Sequence, residues 1–247
     1  MKLMQNSVTI AKRELKSYFA TPVAYVFILI FLALTGAFTF YLGNFFVRGQ
    51  AELDAFFQFH PWLYLLLIPA VSMRLWAEER KTGTIEFLIT LPVTTFASVL
   101  GKYIAAWIFT GIALLLTFPI WISVNFLGSP DNGVILGSYV GSFLMAGAFL
   151  AIGSCISATT KNQVVAFIIT ATICFLFTMS GLELVLNFFR LWAPDFLVQA
   201  IASLSFLTHF QAITNGVIDL RDILFFTSLI SVWLFANILV VNQKKGE

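Results

Sequence analysis

The sequence predicts an all-α integral membrane protein: six transmembrane helices, an N-terminal amphipathic interfacial helix, a short cytoplasmic helix and short outer-leaflet helices before the last span. Three observations carry that prediction. Of 247 residues, 60% are hydrophobic and 11% charged, and the mean hydropathy is +0.93. A soluble domain holds about 45–50% apolar and about 25% charged residues, so this surplus of apolar surface needs lipid as its solvent. Six apolar runs approach the roughly 20 residues that cross a hydrocarbon core. Finally, the basic residues divide unequally between the segments that join those runs.

The chain reads as a single transmembrane domain over 1–247. In segment 1–20, Val8, Ala11, Leu15 and Tyr18 recur at helical spacing while Lys12, Arg13 and Lys16 take the remaining face. That is the pattern of a basic helix lying in the cytoplasmic interface. The first span, 23–43, is opened by Pro22, where a missing N–H costs little. It is long enough to cross and has no small-residue cleavage site, unlike a signal peptide. The second and third spans, 61–77 and 99–126, contain Pro69 and Pro119, each predicted to kink its helix. The fourth, 135–158, carries Gly137, Gly141, Ser142, Ala146 and Gly153, a small-residue face that allows close helix packing. Spans at 164–186 and 223–242 complete the set. Cys155 and Cys174 lie in apolar runs without metal-ligand spacing and read as small packing residues.

Two connecting segments stand out. Segment 78–94 opens with the charge cluster Glu78-Glu79-Arg80-Lys81. Gly83 then breaks the chain, and Thr84 can cap a short helix from Ile85 that Pro92 ends. Phe87, Leu88 and Ile89 on that helix, beside charges and outside any span, predict a protein–protein contact. Segment 187–222 mixes apolar stretches with Gly216 and Asp219-Leu220-Arg221-Asp222. Short helices that sit on or dip into the outer leaflet are expected there.

Orientation follows from the lysines and arginines. One side holds Lys2, Lys12, Arg13, Lys16, Arg74, Arg80, Lys81, Lys102, Lys161, Lys244 and Lys245; the other holds Arg48, Arg190 and Arg221. The richer side is expected to be cytoplasmic, which puts both termini inside a bacterial cytoplasmic (inner) membrane. A net charge of +2 gives no reason to expect a nucleic-acid partner.

Catalytic machinery is not legible in this chain. It has two histidines, His60 and His209, no His-Glu-x-x-His motif and no Gly-x-Ser-x-Gly elbow. Gly101-Lys102 approaches a phosphate-binding loop, but Tyr103 follows where Ser or Thr would bind magnesium, and Phe96 replaces the first glycine. The chain is therefore expected to bind no cofactor of its own and to hydrolyse no ATP. Ionisable residues inside the spans are few, which weakens the case for a secondary transporter.

Residues 78–93, Glu-Glu-Arg-Lys-Thr-Gly-Thr-Ile-Glu-Phe-Leu-Ile-Thr-Leu-Pro-Val, resemble the coupling segment of ABC-2 type transporter permeases. The amphipathic start, the six spans and the long outer segment are also similar to that family. Residues 207–222, Leu-Thr-His-Phe-Gln-Ala-Ile-Thr-Asn-Gly-Val-Ile-Asp-Leu-Arg-Asp, further resemble its gliding-motility-type (GldF-like) branch. The resemblance implies a permease subunit paired with a second permease, identical or related, and driven by two copies of a cytoplasmic ABC ATPase that holds ATP and magnesium. Glu78, Glu79, Arg80, Gly83, Thr84, Ile85, Glu86, Phe87 and Leu88 would then form the ATPase-coupling surface. Arg13 and Lys16 of the N-terminal helix would flank it. An auxiliary subunit with a large extracytoplasmic domain is implied too, with His209, Asp219 and Arg221 as its contact. The alternative is a component that transmits ATP-driven motion to an outer partner without moving a solute.

Overall fold

A computed structural model of the protein describes residues 2–84, 93–217 and 219–243. Every regular element among them is helical. Five helical runs are long and apolar enough to cross a membrane, by length and composition: Pro22–Arg48, Asp54–Thr82, Thr95–Leu127, Asn132–Thr159 and Leu220–Gln243. Two bent pairs, Gln163–Met179 with Glu183–Arg190 (76°) and Asp195–Ala202 with Phe206–Thr214 (62°), raise the number to seven if each is one span. The six predicted spans fall in this range. The predicted fifth, however, is broken, and an additional bent pair occupies the segment read as lying outside.

Helix α1 (Lys2–Phe19) packs along α7 (Thr95–Leu115). Its inward face is Ser7, Ala11, Glu14, Leu15 and Tyr18, whereas Val8, expected on the apolar face, is 49% exposed. The close approach is made at Gly101 of α7. A Cβ there would stand 2.8 Å from Ile10 Cβ and 2.9 Å from the Ser7 carbonyl oxygen. Gly101→Val is therefore expected to push α1 off α7, at a cost of about 1–3 kcal/mol. Faster hydrogen exchange across residues 7–18 would register it, and unchanged exchange there would refute it.

Pro22 opens α2 (Pro22–Ala37), as predicted, and the run widens into a π-helical turn at Phe38–Leu42. The short helices α3 (Phe45–Arg48) and α4 (Asp54–Phe57) lead into α5 (His60–Ser72) and α6 (Arg74–Thr82). The α5–α6 junction at Met73 follows Pro69, whose ring removes a helical N–H and crowds the preceding turn. Ser157, from a distant helix, completes this junction: its hydroxyl donates to the Met73 carbonyl (2.8 Å) and accepts from the amides of Trp76 (3.1 Å) and Ala77 (3.0 Å). The third run divides at Leu116–Thr117 into α7 and α8 (Phe118–Leu127), with Pro119 in the first turn of α8.

Helix α9 (Asn132–Thr159) is the axis of the bundle, touching α5, α6, α7 and the three helices α10 (Gln163–Met179), α13 (Phe206–Thr214) and α14 (Leu220–Gln243). Asp131 caps it through Gly133 N (2.8 Å) and Val134 N (3.3 Å). Its small residues seat neighbours: Gly141 lies under Ile213, Gly147 under Trp107, and Gly153 against Ser72 and Thr170. The small-residue face is thus a packing surface.

The break after α10 has a local cause. At Gly181 a Cβ would stand 2.3 Å from Ser205 Oγ and 2.4 Å from Thr208 Oγ1, so only a glycine lets the chain pass the start of α13. Beyond it, α11 (Glu183–Arg190) and α12 (Asp195–Ala202) are largely exposed. By contrast, α13 is buried: Phe206 meets Phe149 (centroids 4.8 Å), Phe177 (5.5 Å) and Phe226 (6.0 Å).

Candidate functional site

The described residues gather charge most densely where α1, α6 and α7 meet. Lys102, two turns into α7, is only 3% exposed, because α1 covers it through Gly101. Its Nζ donates to Glu79 Oε1 of α6 at 2.6 Å and lies 3.4 Å from Glu14 Oε1 of α1. It also stands 5.3 Å from the centroid of the Trp76 ring, within reach of the negative face of the indole. One buried ammonium thus ties three helices. Such a group is tolerated only because two carboxylates compensate its lost hydration.

Arg13 extends the cluster, donating from Nη2 to Glu14 Oε1 at 2.8 Å while remaining 59% exposed. Burial pushes the Glu14 carboxyl up, but Lys102 and Arg13 together outweigh it and hold the group below the usual carboxylate range. A carboxyl depressed in the folded state stabilises above its unfolded pKa and loses that contribution as pH falls through the folded one. Docking of α1 is accordingly expected to hold at neutral pH and loosen toward about pH 3, below the carboxylate reference values. Hydrogen exchange in α1 at both pH values tests this, and equal protection would contradict it. Burial, together with the Glu14 charge, raises the Tyr18 phenol above its ordinary value.

Arg80 points across to α9 and donates from Nη1 to the Ala158 carbonyl at 2.6 Å, satisfying a C-terminal helical carbonyl. Glu78 is exposed, as are Lys81 and Thr84. Gly83 ends α6 with φ +73°, a left-handed conformation that suits glycine. Thr84 Oγ1 lies 3.0 Å from Thr82 Oγ1. The predicted helix with Ile85, Glu86, Phe87 and Leu88 lies outside the described residues, as do Lys244 and Lys245. The charge cluster is therefore split: Glu79 and Arg80 face other helices of this chain, while Glu78 faces outward. Of the N-terminal pair, Arg13 belongs to the joint and Lys16 is exposed.

At the opposite end of the bundle, His209, Asp219 and Arg221 do not form one surface. His209 is drawn inward: Nδ1 lies 2.6 Å from Asp222 Oδ1, Nε2 lies 2.9 Å from the Ser203 carbonyl, and the ring stacks on Phe225 at 4.0 Å. Asp219 instead accepts from the backbone amide of Arg221 at 3.1 Å, and both residues are exposed. His60, at the start of α5, is fully buried, with Nδ1 2.8 Å from Ser142 Oγ. Ser142 Oγ also lies 2.7 Å from the Tyr64 hydroxyl.

Sequence reasoning missed Lys102, Glu14 and Asp222. Lys102 carried a signal, being an ionisable residue within a predicted span, a position that costs energy unless partnered. Glu14 carried a weaker one, as the acid among the basic residues of α1.

The model of a family described as "ABC-2 family transporter protein" matches residues 8–241. Among curated proteins, no sequence matches the chain.

Proposed function

The chain belongs to the ABC-2 family of transporter proteins, as a multi-pass membrane permease component, and we propose that a separate cytoplasmic ATPase drives it through the joint around Lys102. On this reading two ATPase copies, which hold ATP and magnesium, act on two permeases, this chain with a second copy or a related one. The cluster side faces the cytoplasm of a bacterial inner membrane, and both termini lie on that side. Residues 78–91 form the docking segment, with Thr84, Ile85, Glu86, Phe87 and Leu88 toward the ATPase and Glu78 at its edge, beside the groove between α2 and α5. Glu79 and Arg80 fix the base of that segment to α7 and α9.

The Lys102 joint is the observation that supports this most. Segment 84–92 leaves α6 five residues beyond Glu79, and Glu79 is held by a buried lysine that also faces α1. A displacement of the segment is thereby shared with α1 and α7 at once. That is a mechanical link of the sort that a permease without its own nucleotide site needs. Phe87→Asp is expected to abolish the stimulation of ATP hydrolysis by transport in a reconstituted complex, while the ATPase keeps its basal rate. Undiminished stimulation would remove residues 84–91 from the coupling role.

The gliding-motility-type branch and an auxiliary extracytoplasmic subunit belong to the same proposal, supported by residues 207–222. His209 then positions α13, and exposed Asp219 and Arg221 are the groups available to a partner.

A further inference from the structure

A groove of about 450 Å³ runs from the charged joint down the side of the bundle between α2 and α5. Its wall is apolar, including Val26, Phe27 and Ile30, and Val26 and Ile30 are 53% and 40% exposed to the surroundings of the bundle. Its polar end holds Arg74, Glu78 and Glu79, with Glu14 and Lys102 also lining it but paired to each other at 3.4 Å. An apolar trough with a few convergent polar groups at one end matches an amphiphile rather than a wholly apolar or wholly polar ligand.

Three polar groups at that end lack what they need. Arg74 is exposed and makes no ion pair among the described residues; neither does Glu78, one turn further along α6. The order Arg then Glu at this spacing is the less favourable one along a helix. Glu79 spends Oε1 on Lys102, and its Oε2 is buried without a hydrogen-bond partner among the described residues. A buried carboxylate oxygen left without a donor costs free energy that a ligand can recover. The groove therefore offers a guanidinium to an anion and two carboxylates to a cationic donor.

We infer that this groove holds a membrane phospholipid with a zwitterionic, primary-amine headgroup. The phosphate lies at Arg74, the ammonium donates to Glu79 Oε2 and Glu78, and an acyl chain fills the trough along α2. A primary ammonium has three donors to give, whereas a quaternary ammonium has none. An anionic glycerol headgroup would satisfy Arg74 and leave both carboxylates repelling it. Hydrogen bonds to charged groups are the stronger ones, so the amine headgroup is expected to be favoured by about tenfold or more.

The test is native mass spectrometry of the full chain released from bilayers of phosphatidylethanolamine, phosphatidylcholine and phosphatidylglycerol in equal parts. Phosphatidylethanolamine adducts are expected to exceed each of the others about tenfold. Arg74→Ala and Val26→Trp, both at exposed positions where folding is not at risk, are expected to abolish that excess. Equal retention of phosphatidylcholine would show that the amine is not read. An excess of phosphatidylglycerol would leave only an anion site, and an excess that survives both substitutions would place the lipid elsewhere. If no lipid is retained and Val26→Trp changes self-association, a second copy of the chain covers the groove; each of these four results overturns the assignment.

Discussion

Lys102→Met is expected to lower the stability of the protein by about 3–5 kcal/mol, the cost of breaking a buried ion pair by removing one partner. The cost is of this size because the side chain is 3% exposed and its two carboxylates are about four-fifths covered, so solvent cannot take over as partner. Methionine fills the space but leaves Glu14 and Glu79 facing each other across it. A second consequence is expected on the proposed coupling: α6 keeps its helix, yet its ion-pair link to α1 and α7 is gone, and transport-stimulated ATP hydrolysis in the assembled complex falls with it. Adding Glu79→Gln removes one of the orphaned charges, so the double variant is expected to recover much of the stability. It is not expected to recover the stimulation. That divergence, read by thermal unfolding in detergent and by ATPase assay in proteoliposomes, separates a structural ion pair from a coupling one. Equal recovery of both would reduce the joint to packing.

Gly153→Ala is expected to have the next largest effect, although it adds one methyl group. The new Cβ would stand 2.0 Å from Ser72 Oγ and 2.5 Å from Ser72 Cβ. The hydroxyl can rotate away, but the Cβ cannot, so α5 and α9 must part where α5 ends. Overpacking of this kind costs about 1–3 kcal/mol, and here it also strains the junction at Met73, where Ser157 of α9 is bonded one turn further along. Ser72→Gly in the same chain is expected to restore stability, because it removes both clashing atoms. Ser72→Ala is not, because it keeps the Cβ. Thermal unfolding of the three variants decides the matter, and rescue by alanine would show that the hydroxyl alone was in the way.

Proline and hydropathy made much of the bundle legible. Pro22 at the start of α2 and Pro119 in the first turn of α8 stand where the chain itself limits what the backbone can do. The break after α10 was hidden, since Gly181 looks unremarkable until Ser205 and Thr208 are packed against it. Helix α1 shows the same limit. Periodicity found the helix but rotated its inner face, placing Val8 inside and leaving Glu14 out, because the partner that draws Glu14 inward is a lysine 88 residues away. Likewise the cluster at 78–81 was recognisable as charge, yet which members face this chain depends on where Lys102 and the end of α9 come to lie. A segment's composition states what it can offer. Only the tertiary arrangement states what is already taken.

The Ser157 hydroxyl at the α5–α6 junction bears on how the protein is made. The three backbone groups that it satisfies, on Met73, Trp76 and Ala77, are synthesised 80 to 84 residues before it. While the ribosome is still producing α7 and α8, the second hydrophobic run already exists with its bend incomplete, and bare backbone polar groups are poorly tolerated away from water. Those groups lie beside the charged residues of α6, so water or lipid headgroups can serve them until α9 emerges and delivers its serine. The central helix is thus the last stone of an arch whose first half was laid long before it, and the chain's order of synthesis differs from its order of completion.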